Sequence, residues 1–172
     1  MNKFILLLPF LLLLGCVSTG TVLTVKNNDT VLIDYTGSFQ NGKVFDTSIK
    51  ADAENARLPL RQAYAPLEFI VGSGQVIKGF NDGVIGMKIG EEKTITVPPA
   101  EGYGEKNPAL VQDIPRENIN GNITVGTMLS ASSGSTGRVI QVTNSTVKVD
   151  FNHELAGKTL VFKIKLVDIT RD

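Results

Sequence analysis

From residue 30 onward the chain alternates apolar and polar residues over short stretches, each closed by glycine, proline or asparagine. A period of two puts every second side chain on one face, which suits a half-buried strand and defeats a helix. Val31, Ile33 and Tyr35 alternate with polar neighbours, and Thr36-Gly37 is read as the end of that strand. Asn41-Gly42 is a hairpin signal leading into a second strand, Lys43-Val44-Phe45-Asp46. Residues 67–71 and 92–97 supply two more, the latter stopped by Pro98-Pro99. Gly72-Ser73-Gly74 turns the chain into one short helix, expected over residues 76–84. Residues 48–66 keep no sustained period, and Pro59 and Pro66 limit any helix there. That stretch is expected to be a long excursion holding at most a helical turn. With 17 glycines and 7 prolines, the chain reads as mainly β, rich in turns and poor in helix.

The punctuation changes at Glu105. Pro108, Pro115, Asn118, Asn120-Gly121-Asn122 and Ser132-Ser133-Gly134-Ser135 separate short apolar runs. Residues 138–143 and 146–151 then form a hairpin about Asn144-Ser145. The last alternating stretch, residues 159–169, turns Leu160, Phe162, Ile164 and Leu166 inward and changes phase at Val167 and Ile169, the mark of a bulge. It is long enough to be a central strand. Its return to the first sheet makes residues 105–152 a small β module inserted into a domain formed by 30–104 and 153–172, since surface loops accept insertions. A chain of 172 residues supports one good core plus such a satellite.

The N-terminus reads as a targeting signal. Lys3 precedes an apolar run over residues 4–14, about eleven residues and too short for a bilayer core of about 30 Å. It ends at Leu13-Leu14-Gly15-Cys16, which resembles a lipobox, and Cys16 is the only cysteine in the chain. Residues 1–15 are therefore expected to be removed and Cys16 lipidated, with residues 16–29 as tether. The protein is then extracytoplasmic, anchored to a membrane surface, or secreted if the cysteine is incidental. A single acyl chain binds membranes only marginally, so firm anchoring needs a second contribution.

Charge and motifs narrow the chemistry. Lys and Arg total 17 and Asp and Glu total 17, so no net field draws the chain to nucleic acid, and partners must be recognised by shape and apolar contact. Gly72-x-Gly74 lacks the third glycine of a dinucleotide fingerprint, and no Lys-Ser/Thr pair follows Gly79. Nucleophile elbow and metal-ligand spacings are missing, and the single histidine, His153, is read as a hinge residue bonding to backbone. Neither metal nor cofactor is expected. Taken alone, Phe45, Phe69 and Phe162 on alternating strands are core residues, and Asp46-Thr47-Ser48 is a turn or cap. Tyr103 differs, because a tyrosine between two glycines contributes little to a core.

Five ordered blocks carry a more specific signal. They are Asp34-Tyr35-Thr36-Gly37; Val44-Phe45-Asp46-Thr47-Ser48; Pro66-Leu67-Glu68-Phe69 with the segment from Val71 to Phe80; Gly83 to Gly90; and Pro98-Pro99-Ala100-Glu101-Gly102-Tyr103-Gly104. Together with Leu110-Val111, Ile114-Pro115, Val125-Gly126 and the run from Asn152 to Lys158, the chain resembles an FKBP-type peptidyl-prolyl cis-trans isomerase of the SlyD-like branch over nearly all of residues 30–170. The resemblance implies an α+β, mainly β fold: a twisted antiparallel sheet wrapped on one short helix, with an insert-in-flap domain in place of a loop. It also implies isomerisation of X-Pro bonds in unfolded or partly folded polypeptides, by a monomer without cofactor.

Carried over by position, Tyr35, Asp46 and Tyr103 are the catalytic polar residues, and Phe45, Leu67, Val76, Ile77, Phe80 and Phe162 bind substrate. Phe80 is the implied floor, with Phe45, Tyr103 and Phe162 as walls. The Tyr103 hydroxyl and the Ile77 amide are implied donors to substrate carbonyls, and Asp46 pairs with Tyr35 or polarises the twisted carbonyl's surroundings. The chain departs from the pattern in three ways. Phe80 replaces a common Trp and Gln75 a Glu; the metal-binding tail is absent; and the excursion over residues 49–65 is long, adding rim contacts or only surface. In the insert, Leu110, Val111, Ile114, Ile119, Ile123, Val125, Met128 and Leu129 are either its own core or an exposed client surface. The competing reading is a holdase that works through the insert beside a vestigial pocket.

Overall fold

The structure is a computed structural model that describes residues 22–131 and 134–171. In chain order its elements are β1 (Thr30–Phe39), β2 (Val44–Thr47), α1 (Lys50–Asn55), β3 (Leu67–Ile70), α2 (Lys78–Val84) and β4 (Glu92–Val97), then β5 (Val111–Pro115), β6 (Met128–Ser130), β7 (Thr136–Val142), β8 (Thr146–Asp150) and β9 (Leu160–Thr170). Two antiparallel sheets result. The first has the order β2-β1-β9-β4, with β3 also paired to β1, and the second the order β5-β8-β7-β6. This is the mainly β architecture expected, with few and short helices.

β9 lies between β1 and β4, and Leu160, Phe162, Ile164 and Leu166 face the core. The phase change is a register slip: Leu32 faces Asp168 while Ile33 faces Leu166, which leaves Val167 as an extra residue. Val167 and Asp168 are exposed and Ile169 returns to the core, as a bulge requires.

β1 runs past the expected stop at Gly37 as far as Phe39. Gly37 serves packing there rather than a turn. A Cβ at Gly37 would stand 2.8 Å from the Phe45 ring and 2.9 Å from the Phe162 ring. Glycines also seat α2 on the sheet, where a Cβ at Gly79 would meet Val97 at 2.6 Å and one at Gly83 would meet Ile95 at 2.7 Å. The close approach drives Phe80 and Val84 into the core.

The folded part begins upstream of Thr30. Val25 is buried, its N–H donates to the Met87 carbonyl at 3.0 Å, and its carbonyl accepts from the Gly86 N–H at 2.9 Å. The Arg171 guanidinium grips the buried Asp29 carboxylate through Nε and Nη2, both at 2.6 Å, and donates to the Thr24 carbonyl at 3.0 Å. Residues 24–29, assigned above to the tether, are thus held by the core and by the C-terminal end of the chain. Cys16 and the preceding signal segment lie outside the described residues.

The second sheet has its own small core. Val139, Val147 and Val149 are fully buried, with Ile114, Ile119, Ile123, Leu129, Val142 and Phe151 packed around them. Leu110, Val125 and Met128 stay exposed. Ile114, Ile119, Ile123 and Leu129 thus belong to this sheet's own core.

Candidate active site

Four elements converge on one aromatic cluster. Phe80 comes from α2, Phe162 from β9, Tyr35 from β1 and Phe45 from β2. Phe80 and Phe162 meet edge to face with centroids 5.2 Å apart, Tyr35 stands edge-on to Phe80 at 5.9 Å, and Phe45 stands edge-on to Phe162 at 5.8 Å. Such T-shaped contacts match the positive ring edge to the negative face and fix each ring. Phe80 and Phe162 are buried, while Tyr35, Phe45, Leu67, Val76 and Ile77 are half-buried against them. Two closed rings thus lie beneath five partly open side chains.

Beside this cluster lies a polar array. The Tyr35 hydroxyl donates to Asp46 Oδ2 at 2.7 Å, and the Thr47 N–H donates to Asp46 Oδ1 at 2.9 Å. The Arg61 guanidinium also closes on Oδ1, as an ion pair. Burial, and then the bond to Asp46, push the Tyr35 phenol up to about 12. Arg61 comes from the excursion after α1 and lies over the Tyr64 ring at 6.0 Å. With Phe45, Asp46, Leu58, Leu60 and Tyr64 it lines a cavity of about 360 Å³. The excursion therefore reaches the rim of the cluster. No motif in the sequence marked Arg61; its partner depends on the path of an aperiodic loop.

Ile77 caps α2, and its carbonyl accepts from the Phe80 and Asn81 amides at 3.1 and 3.0 Å. Among the described residues no acceptor takes its own N–H. Gln75 turns away to close the preceding loop, accepting from the Ile70 N–H at 2.9 Å and the Ser73 hydroxyl at 2.8 Å.

Tyr103 follows the 3-10 turn Pro99–Glu101 and is 40% exposed. Its phenol is also raised, by burial and by the Asp46 charge, so the hydroxyl keeps its proton and remains a donor at neutral pH. Its ring partner is not one of the cluster phenylalanines. It stacks on His153, centroids 4.1 Å apart and planes 3° from parallel. His153 accepts a backbone bond, as expected, from the Leu155 N–H at Nδ1, 3.1 Å. The stack itself was not foreseeable, because residues 104–152 separate the two rings in sequence.

The model of the family described as FKBP-type peptidyl-prolyl cis-trans isomerase matches residues 22–167. The chain belongs to that family. A short-type peptidyl-prolyl cis-trans isomerase of Methanocaldococcus jannaschii is 46% identical over 150 residues, covering 84% of this chain and 94% of that protein. FKBP-type isomerases named SlyD are also similar: that of Treponema pallidum is 33% identical over 145 residues, 81% of this chain and 75% of its own length. The SlyD of Helicobacter pylori is 31% identical over 135 residues, 76% and 73%. The match begins at Val22, in keeping with the folded position of Val25. As an FKBP-type isomerase the chain is an enzyme acting on X-Pro peptide bonds.

Proposed function

We propose that this isomerase turns X-Pro bonds in unfolded or partly folded proteins outside the cytoplasm, held near a membrane by lipid on Cys16. The observation that carries the placement of its site is the apolar cluster on Phe80 and Phe162 with the Tyr35–Asp46–Arg61 array beside it. An X-Pro amide rotates over a barrier of about 18–20 kcal/mol, set by resonance that also separates charge. No covalent bond need form or break. A dry aromatic surface favours the twisted, less charge-separated amide over the planar one, and only such differential binding accelerates the step. In this scheme Phe80 and Phe162 receive the prolyl ring, with Phe45, Leu67, Val76 and Ile77 around it. The Ile77 N–H and the Tyr103 hydroxyl donate to substrate carbonyls. Tyr35, Thr47 and Arg61 hold Asp46 in one orientation, so its charge is preorganised beside the turning carbonyl.

Client retention is assigned to residues 105–152. What supports it is a groove of about 800 Å³ between the second sheet and the returning chain, lined by Met128, Arg138, Ile140, Phe151, His153 and Lys158 among others. Met128 and Ile140 are exposed there. A chain held in that groove meets the cluster at a raised effective concentration, which lowers KM without new chemistry.

Exchange rates measured on a proline tetrapeptide and on an unfolded proline-limited protein test this reading. Met128→Ser with Ile140→Ser is expected to weaken catalysis on the protein several-fold and leave the tetrapeptide unchanged; equal effects on both would refute the groove. Cys16→Ser is expected to move the protein from the membrane to the soluble fraction, and unchanged membrane association would dismiss the anchor.

A further inference from the structure

We propose that His153 is a positioning residue for catalysis, acting through Tyr103 by holding the phenol ring in register with the pocket. The proposal rests on the reading of the aromatic cluster as the isomerisation site. Tyr103 needs an external brace. It is 40% exposed, and it stands between Gly102 and Gly104, the latter at φ +78°. The Gly102 and Gly104 amides both donate to the Pro99 carbonyl, at 3.0 and 2.8 Å, which ties down the backbone but not the phenol ring, and among the described residues that ring pairs with none of the cluster phenylalanines. A donor on such a loop samples many orientations unless something fixes it, and misplacement by about 1 Å costs rate.

The brace is the segment that returns the chain from the insert. The His153 ring lies parallel to Tyr103 at 4.1 Å. Four residues later the Gly157 N–H donates to the Gly104 carbonyl at 2.8 Å. The tyrosine loop is thus pinned twice by one stretch of chain, once at its ring and once at its backbone. That stretch is itself rigid. The Leu155 N–H donates to His153 Nδ1 at 3.1 Å, the Ala156 N–H donates to the His153 carbonyl at 2.9 Å, and Leu155 and Ala156 are buried. The imidazole is therefore oriented by its own backbone before it meets the phenol. His153 also lines the groove facing the second sheet, with Lys106, Arg138, Asp150 and Glu154. His153 thus both lines the groove and stacks on Tyr103.

The test follows prolyl exchange in a tetrapeptide with the full chain and variants at position 153, thermal midpoints being recorded in parallel. His153→Ala is expected to lower kcat/KM about three- to ten-fold, the range a lost aromatic pair supplies. His153→Phe restores the rate to within about two-fold of wild type, because a phenyl ring presents a similar face. In a Tyr103→Leu background, His153→Ala changes nothing further. In proton NMR the Tyr103 ring resonances, shifted by the stacked imidazole, relax toward free-tyrosine positions in the alanine variant and not in the phenylalanine variant. A stack lost by NMR with an unchanged rate overturns the role of His153 while leaving the pocket intact. So does a phenylalanine variant no better than alanine, or two substitutions whose effects multiply. If the wild-type chain accelerates nothing, the pocket reading fails first and this proposal with it.

Discussion

Asp46 commits both carboxylate oxygens to neighbours, and the Tyr35 phenol is the neighbour that reports on it. The phenol is pushed up to about 12 in the fold against about 10 when free. A group whose folded value is raised contributes stability that is complete below its unfolded value and vanishes as pH climbs through the folded one. Denaturant midpoints are therefore expected to fall between about pH 10 and 12, and Tyr35→Phe is expected to flatten that limb while costing about 1 kcal/mol at neutral pH. Asp29 has the opposite sign: the Arg171 bonds hold its carboxyl down to about 2. Its contribution is complete above about pH 4 and fades as pH falls toward 2. Arg171→Ala is expected to lower the urea midpoint, since it strips charged bonds from a buried carboxylate, and to weaken the acid dependence; an unchanged urea midpoint would contradict this clamp. At this scale the sequence identified side chains by type and position, and the resemblance gave one tertiary pair, Tyr35 with Asp46, but not the others. Tyr35, Phe45, Phe80 and Phe162 stood out through motif resemblance. Arg61, and the stacking role of His153, depend on where aperiodic loops end up in space, and no local period encodes that.

Strands proved the most legible elements, because alternation is imposed by which face is buried. The strand over residues 92–97 was read to both of its ends, and the phase change in the last strand marked a real bulge. Glycine was the ambiguous sign. Gly37 was read as the end of a strand, yet it sits inside β1, where two aromatic rings occupy the space of its missing side chain. Gly37→Ala is accordingly expected to force the Phe45 and Phe162 rings apart, at about 1–3 kcal/mol and with reduced isomerisation. Its measurement by denaturation and prolyl exchange separates it from a turn glycine, where alanine would cost stability and spare the site. The N-terminal residues 24–29 were missed for a related reason. A single isolated bridge, Thr24 to Lys88, leaves too short a pattern to read as a strand.

Across the whole molecule, two sheets of unequal depth share one chain. The first core gathers residues from Val25 to Ile169, while the second rests on three fully buried valines and a half-buried shell. So small a core is marginal alone. Amide hydrogens in β5 to β8 are expected to exchange well before those of β1 and β9, and simultaneous exchange would mean that the sheets unfold as one unit. The second sheet lies beyond the change of punctuation at Glu105, and which of its apolar residues are buried was not legible, because composition does not say which face finds a partner. The central claim is that the cluster on Phe80 and Phe162, with Asp46 held beside it, turns the prolyl bond. It is tested most directly by cis/trans exchange in a proline tetrapeptide with residues 17–172, with and without Asp46→Ala. The account predicts exchange far faster than the uncatalysed tens to hundreds of seconds, falling at least ten-fold (~1.4 kcal/mol) on substitution. Full activity in a folded Asp46→Ala chain would contradict it.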